Sequence, residues 1–126
     1  MSTPIQTVES TIAEKLREIE RLKVYEVRPP GALPLPSASL TLISARMHGG
    51  FPDTMQIIDI TMQIDIWSRV ESEMRDFADK VLMKLYQKRA EMGFIDIALV
   101  NVRDMPEEST WRRCLYFRIE TTVTKS

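Results

Sequence analysis

Few residues in this chain of 126 have side chains suited to catalysis or metal binding. His48 is the single histidine, and it precedes Gly49 and Gly50 in a predicted loop. A histidine there could serve as a general base, but the sequence offers no nucleophile that can be assigned to it. Transition-metal sites generally combine several nitrogen or sulfur ligands, which one histidine does not provide. We therefore interpret His48 as an exposed loop residue.

Cys114, the single cysteine, lies in the last predicted strand. A reactive thiol needs a setting that lowers its pKa, and Arg112, Arg113 and Arg118 could supply positive charge. No acyl-transfer or redox motif surrounds it, and a lone cysteine forms no internal disulfide. We expect Cys114 to be a structural thiol.

The acidic residues of the central predicted strand were considered as a catalytic pair. Asp59 and Asp65 share one face but are separated by six positions, which places them roughly 20 Å apart at ~3.4 Å per residue. Paired carboxylates of glycosidases lie much closer than this. Gly49-Gly50 matches neither common phosphate-binding pattern. We expect no enzyme activity, no cofactor and no metal.

The overall composition is that of an ordinary globular domain. Apolar residues make up 44% and charged residues 28% of the chain, which argues against disordered and membrane-embedded classes. The net charge is −1, so no basic surface favours nucleic-acid binding. We find no secretory signal and no apolar run near the ~20 residues that span a bilayer. We expect a single domain over residues 1–126.

The first third of the chain predicts a helix followed by an extended connector. The helix runs from about Pro4 to Leu22 with Thr3 as its cap, and its apolar residues recur at steps of three and four. Residues 23–27 alternate and could form a short strand. The closely spaced prolines of Pro29–Pro36 suit neither a helix nor a central strand, so this run predicts a connector of polyproline character.

Two strands are predicted next. Ala38–Arg46 is the first, and a loop over Met47–Asp53 follows it. The second strand has the clearest pattern in the chain, with apolar residues on one face and polar residues on the other. The apolar positions are Ile58, Ile60, Met62, Ile64 and Ile66.

A second helix and two further strands complete the chain. Ser68 ends the central strand and, with Glu71, matches the S-x-x-E capping box of a helix start. Gly93 is a natural stop for that helix. Phe94–Val102 and the alternating segment after Trp111 predict a hairpin, joined by an acidic turn over Asp104–Glu108. The order of elements predicts an α+β fold: a mainly antiparallel sheet of four to five strands with two helices packed on one face.

Three passages together resemble the tail terminator, or tail completion, proteins of long-tailed bacteriophages. The first is the N-terminal amphipathic helix that leads through Val24-Tyr25 to the proline-rich run. The second is the phrase Gln63-Ile64-Asp65-Ile66-Trp67-Ser68, which runs directly into a helix where Ala78 and Leu85 fill the family's alanine and leucine positions. The third is the acidic turn before the amphipathic strand Trp111–Ile119.

The resemblance implies a homo-oligomeric, hexameric ring in the virion, at the head-proximal end of the tail. Such a ring ends polymerisation of the tail tube and offers a docking surface to the head–tail connector or neck protein. It implies assembly in the host cytoplasm, DNA that passes through without specific binding, and no membrane partner. A ring uses heterologous contacts, in which one patch of each subunit meets a different patch of the next.

We hypothesise that acidic residues face the channel, because an acidic wall would keep DNA from adhering. The span Met47–Ser68 holds three acids and no Lys or Arg. These positions could equally be ordinary solvated residues. The candidate channel-facing or ring-interface residues are Asp53, Asp59, Asp65, Glu107, Glu108, Arg112 and Arg118.

Two other functions remain open at this point. One is a different phage neck or head-completion subunit, which the sequence barely separates from a terminator. The other is a small RNA-binding α+β domain, which would display aromatic residues or a basic stripe on its sheet. The exposed strand faces are predicted to carry Asp, Thr and Gln instead, which disfavours RNA binding.

Overall fold

The computed structural model describes residues 4–26, 34–48, 55–106 and 109–124. Within these ranges five strands form one sheet in the order β1-β2-β3-β5-β4. β1 runs parallel to β2, and the other neighbouring strands are antiparallel. The predicted α+β fold with a mainly antiparallel sheet is confirmed. The elements are α1 (Pro4–Leu16), β1 (Lys23–Tyr25), β2 (Ser37–His48), β3 (Met55–Ser68), α2 (Glu71–Lys88), β4 (Phe94–Pro106) and β5 (Trp111–Thr124).

The core lies between the two helices and one face of the sheet. Every second residue of β3 from Ile58 to Ile66 is buried there, as the alternating pattern predicted. α1 contributes Val8, Ile12 and Leu16, which a helical period places on one side. α2 contributes Met74, Phe77, Ala78, Val81 and Leu85.

The first helix is shorter than predicted. α1 ends at Leu16, because the chain then tightens into turns in which the Ile19 amide donates to the Leu16 carbonyl at 3.0 Å. Arg21 adopts a left-handed conformation with φ of 72°. Ile19 and Leu22 remain buried, so the apolar pattern was interpreted correctly for burial and wrongly for helix length. The predicted cap Thr3 lies outside the described residues.

The strand β2 is longer than predicted, and the expected loop over Met47–Asp53 begins later. Met47 and His48 still pair in the ladder with Ile58 and Ile57 of β3. β3 continues as a backbone partner at these positions, so β2 extends to His48, past the end predicted at Arg46. The His48 side chain, Asp53 and the predicted connector residues 29–33 lie outside the described residues.

The start of the second helix also differs from its prediction. Ser68 is the last residue of β3, and α2 begins at Glu71 with Val70 at its cap position. Ser68 Oγ accepts the Val70 amide at 3.2 Å and donates to Glu73 Oε1 at 2.7 Å. The serine therefore bridges strand and helix instead of forming the predicted capping box with Glu71. α2 itself ends at Lys88.

The predicted hairpin of β4 and β5 is confirmed, but its acidic turn is shorter than expected. β4 continues to Pro106, and Asp104 pairs in register with Arg113. Arg113 donates to both carboxylate oxygens of Asp104, at 2.7 and 2.9 Å, and this bidentate pair favours strand geometry at a position predicted to turn. Glu107 and Glu108 lie outside the described residues.

Candidate interaction surfaces

The sheet has one face that the helices do not cover, which we call the open face. In β3 it carries the residues between the core positions, from Asp59 to Trp67. Residues that pair in register point to the same side of a sheet, so β2, β4 and β5 extend this face sideways. The predicted channel residues Asp59, Asp65, Arg112 and Arg118 all lie on it.

One end of the open face holds a buried polar cluster formed by Asp65, Arg112, Trp67 and Gln63. Arg112 Nη2 donates to Asp65 Oδ2 at 2.9 Å, and Gln63 Nε2 donates to Asp65 Oδ1 at 2.7 Å. The Arg112 guanidinium carbon lies 4.5 Å from the centroid of the Trp67 ring, in cation–π geometry. The cluster satisfies both carboxylate oxygens.

Asp65 is not an ordinary solvated residue, which was one of the two interpretations that the sequence left open. Only 3% of Asp65 is exposed, and Trp67 is also buried. Strand alternation reports which side a residue faces, but it does not report what covers that side. The Arg112 guanidinium and the Trp67 ring shield Asp65 from water, so its charge is compensated inside the protein.

Cys114 lies beside this cluster and pairs in register with Asp65. Its Sγ lies 3.8 Å from Met105 Sδ, and the residue is fully buried. Burial first, and then the hydrogen bond and negative charge of Asp65, raise the pKa of the thiol to about 11. Arg112 lowers the pKa of Cys114 by less. The thiol is therefore protonated at neutral pH and is a poor nucleophile.

Two of the arginines predicted to supply positive charge to Cys114, Arg113 and Arg118, bind carboxylates instead. Arg113 lies on the helix side of the sheet and binds Asp104. Arg118 binds Asp59, with Nη2 3.0 Å from Oδ2, and it also contacts Glu120 at 3.2 Å. The Arg118 side chain is 55% exposed, whereas that of Asp59 is 14% exposed. The hydrogen bond to Asp59 is the main reason that the pKa of Arg118 is raised.

The open face is not acidic over the described residues, where basic side chains slightly outnumber acidic ones. Asp59 and Asp65, two of the three aspartates predicted to line a channel, are each bound by an arginine of β5. Which surface would line a channel stays a prediction. The charged residues of this face are Lys23, Arg46, Arg103, Arg112 and Arg118, opposed by Asp59, Asp65, Asp96 and Glu120.

A metal site or a membrane span finds no support in the described part of the chain. No group of three or more histidine, cysteine, aspartate or glutamate side chains there could hold a metal ion. No helix there is both long and apolar enough to cross a bilayer. An open depression of about 400 Å³ on the open face is lined by Ser44, Arg46, Asp59, Thr61 and Arg118.

The two outer edges of the sheet are features that the sequence analysis did not single out. On one side, β1 pairs only with Ser37–Ser39 of β2, and every residue from Thr41 to Met47 is exposed. On the other side, β4 pairs only with β5 among the described strands. Their largest exposed apolar residues are Leu42, Ile43 and Met47 in β2 and Ile95, Val100 and Val102 in β4.

Both edge strands contain a bulge next to the row of Met62 and Phe117, and β4 has a second register shift between Phe94 and Asp96. The register shifts between Leu42 and Ser44 in β2, and between Leu99 and Asn101 in β4. The sequence did hold a signal for the first bulge. Apolar residues occupy even positions up to Leu42 and odd positions from Ile43 onward, and such a phase change is what one extra residue produces.

Comparisons with known proteins give a similarity of fold. Neither the protein-family models nor the curated proteins contain a match to this chain. Among solved structures, the fold is similar to a chain of the virion of a native gene transfer agent particle, with a TM-score of 0.69 and 14% sequence identity. The similarity covers 98% of this chain and 100% of that chain. At this identity the likeness establishes a shared fold.

Proposed function

We propose that this chain is a structural, non-enzymatic protein of a phage or phage-like virion. The observation that carries the proposal is the similarity of fold to a chain of a gene transfer agent virion particle, which covers both chains almost completely. A match of that extent concerns the whole domain and not a common motif within it. Because a fold alone does not dictate function, the site residues must support the same proposal.

The polar residues that could have taken part in catalysis are buried or bound to other residues of the fold. Cys114 is buried with a raised pKa, Asp65 is bound by Arg112 and Gln63, and Asp59 is bound by Arg118. An enzyme places such groups where a substrate can reach them. Their internal pairing favours a scaffold whose surfaces bind other proteins.

We further propose that the protein is a tail terminator. Copies of it would form a hexameric ring on the head-proximal end of the tail tube, end the polymerisation of the tube and dock the neck. The resemblance of the phrase from Gln63 to Ser68 to that family supports this proposal, and its Asp65 and Trp67 form the polar cluster with Arg112. The phrase that resembles the family is therefore a structural feature of the fold.

DNA would pass through the ring without specific binding. Protein–DNA affinity rises with the number of phosphates neutralised by free lysines and arginines. Arg112 and Arg118 of the open face already bind carboxylates. If this face lines the passage, the double substitution Asp59→Lys and Glu120→Lys should slow DNA delivery and lower infectivity. Unchanged infectivity would argue against a channel role for this face.

Electron microscopy of particles assembled without the protein tests the terminator assignment. We expect overlong tails, because nothing would stop the growth of the tube, and normal tails once the wild-type chain is supplied again. Tailless heads beside tails of normal length would assign the protein to the neck instead, a role that the same similarity of fold would suit. A virion map that places the chain elsewhere would contradict both roles.

A further inference from the structure

We propose that neighbouring copies of this chain join edge to edge, with the outer edge of β2 in one copy pairing with the outer edge of β4 in the next. The inference deepens the proposed ring and rests on it, because it names the two surfaces that meet. The pairing would involve Leu42–Arg46 of one copy and Asp96–Val100 of the other.

The direction of the strands permits this contact in a ring. β2, β3, β5 and β4 alternate in direction across the sheet, so β2 and β4 run antiparallel to each other. When copies are related by rotation about a ring axis, β4 of one copy meets β2 of the next in that antiparallel relation. The ladder can then continue from copy to copy as an ordinary antiparallel sheet, with no inversion of a subunit.

The exposed apolar residues indicate that the edges are covered in the assembled state. Natural edge strands are usually blunted by charge, proline or short length. Here Ile43 is 51% exposed and Val100 is 57% exposed, and each is the extra residue of a bulge. The two bulges flank the row of Met62 and Phe117 on opposite sides, so a level pairing of the two edges would place Ile43 and Val100 on adjacent rows.

The charges of the two edges are complementary at one row of the sheet. Arg46 in β2 pairs in register with Asp59, which pairs with Glu120, which pairs with Asp96 in β4. The row therefore ends in an exposed arginine at one edge and an exposed aspartate at the other. A level copy–copy contact would place Arg46 opposite Asp96, and opposite charges on facing strands stabilise pairing.

Beyond Val100, the edge of β4 is less available for pairing with another strand. The Asn101 side-chain oxygen accepts the amide of Val102 at 2.9 Å, which satisfies that donor without a partner strand. The proposed contact therefore stops at Val100. It uses the part of β4 nearest Asp96, where the charge of the opposite edge is complementary.

Cysteine cross-linking tests the pairing and its register. Ser44 and Ala98 end the same row on the open face, so S44C and A98C would bring Cα atoms within about 4.5–5.5 Å across the contact, which suits a disulfide. Under mild oxidation the double variant should form a ladder of oligomers larger than dimers. A mixture of the two single variants should give cross-linked dimers and nothing larger. Each single variant alone should give no cross-linked species.

The matched control is the pair S44C and N101C, because Asn101 lies on the same face two rows away from Ala98 and does not pair with Cys114. No ladder from the first pair, or an equal ladder from the control pair, would overturn the proposal. If rings form on tail tubes but the first pair gives no cross-link, the edge-to-edge contact is contradicted and the terminator assignment stands. If the first pair gives a ladder but the protein is absent from tails, the terminator assignment is contradicted and the contact stands.

A charge exchange gives a second, independent measurement. R46E and D96R should each weaken self-association about threefold or more, because each places like charges on facing strands. The double variant R46E/D96R should restore the wild-type association constant at least in part. Sedimentation at several concentrations measures this. Equal association of all four proteins, or no association at millimolar concentration, would contradict the pairing.

Discussion

Arg112 binds Asp65 diagonally across two strands, since the register partner of Arg112 is Trp67 and that of Asp65 is Cys114. The Arg112 side chain thereby contacts the Trp67 ring and the Asp65 carboxylate at once. The side chains of Arg112 and Asp65 are 17% and 5% exposed. This arrangement holds the end of β3, from which α2 departs, against β5.

Removal of the buried carboxylate of Asp65 should destabilise the protein far more than removal of the half-buried carboxylate of Asp59, whose partner arginine is exposed. Asp65→Ala leaves the Arg112 charge without its partner in a dry setting, so we expect a loss of about 2–4 kcal/mol in the free energy of unfolding. Asp59→Ala is the matched control, and we expect less than about 1 kcal/mol because Arg118 is half exposed. Urea unfolding of both variants measures the difference. Equal losses would refute the distinction.

Cys114 should resist alkylation in the folded protein. A pKa of about 11 leaves only about one thiol in a thousand ionised at pH 8, and burial blocks access as well. We expect iodoacetamide labelling to be slow in buffer and fast in urea, as followed by mass spectrometry. The unfolded wild-type chain is the control. Rapid labelling of the native protein at pH 7 would show that the thiol is not held as described.

Acid should destabilise the protein through carboxylates that bind cations or hydroxyls. Hydrogen bonds from Ser68 to Glu73, from Lys15 to Glu91 and from Arg113 to Asp104 lower the pKa of each acid. A lowered folded-state pKa means that the stabilisation is present above the ordinary pKa, near 4.5 for glutamate, and is lost as the pH falls through the folded-state value.

Melting temperature measured from pH 7 to pH 2.5 checks this dependence. We expect a fall that begins near the ordinary carboxyl pKa values, and a shallower fall for Glu73→Gln, which cannot lose a proton. A profile for Glu73→Gln as steep as that of the wild type would contradict the contribution of Glu73.

Gly93 should be hard to replace for reasons of backbone conformation alone. Its φ is +81°, and a Cβ placed there would meet nothing within 4 Å. Gly93→Ala should therefore cost about 1–2 kcal/mol, the penalty of a left-handed conformation, with no steric clash added. Gly93→Asn should cost less, because asparagine adopts this conformation more readily. Thermal unfolding of the two variants compares them, and an alanine variant as stable as the wild type would refute the argument.

The period of hydrophobic residues was enough to predict the architecture. Alternation from Ile58 to Ile66 identified the core face of the central strand, and the steps of three and four in α1 identified its buried stripe. These patterns are local consequences of strand and helix geometry, so they can be read without knowledge of neighbours. The α+β class and the final hairpin followed from the order of such patterns.

The limits of the elements and the state of the polar residues were decided by tertiary contacts. β2 extends through His48 because β3 offers it a partner, and Ser68 stays in β3 because its backbone pairs in register with Trp111 of β5. Asp65 is buried because two side chains cover it. Arg112 is distant in sequence, and Trp67 is the next residue on the same face of β3. The exposed edges arose from the order of the strands, which places β4 outermost. Hydrophobic period specifies which side of an element faces inward, whereas pairing partners, coverage and edges depend on residues that only the folded chain brings together.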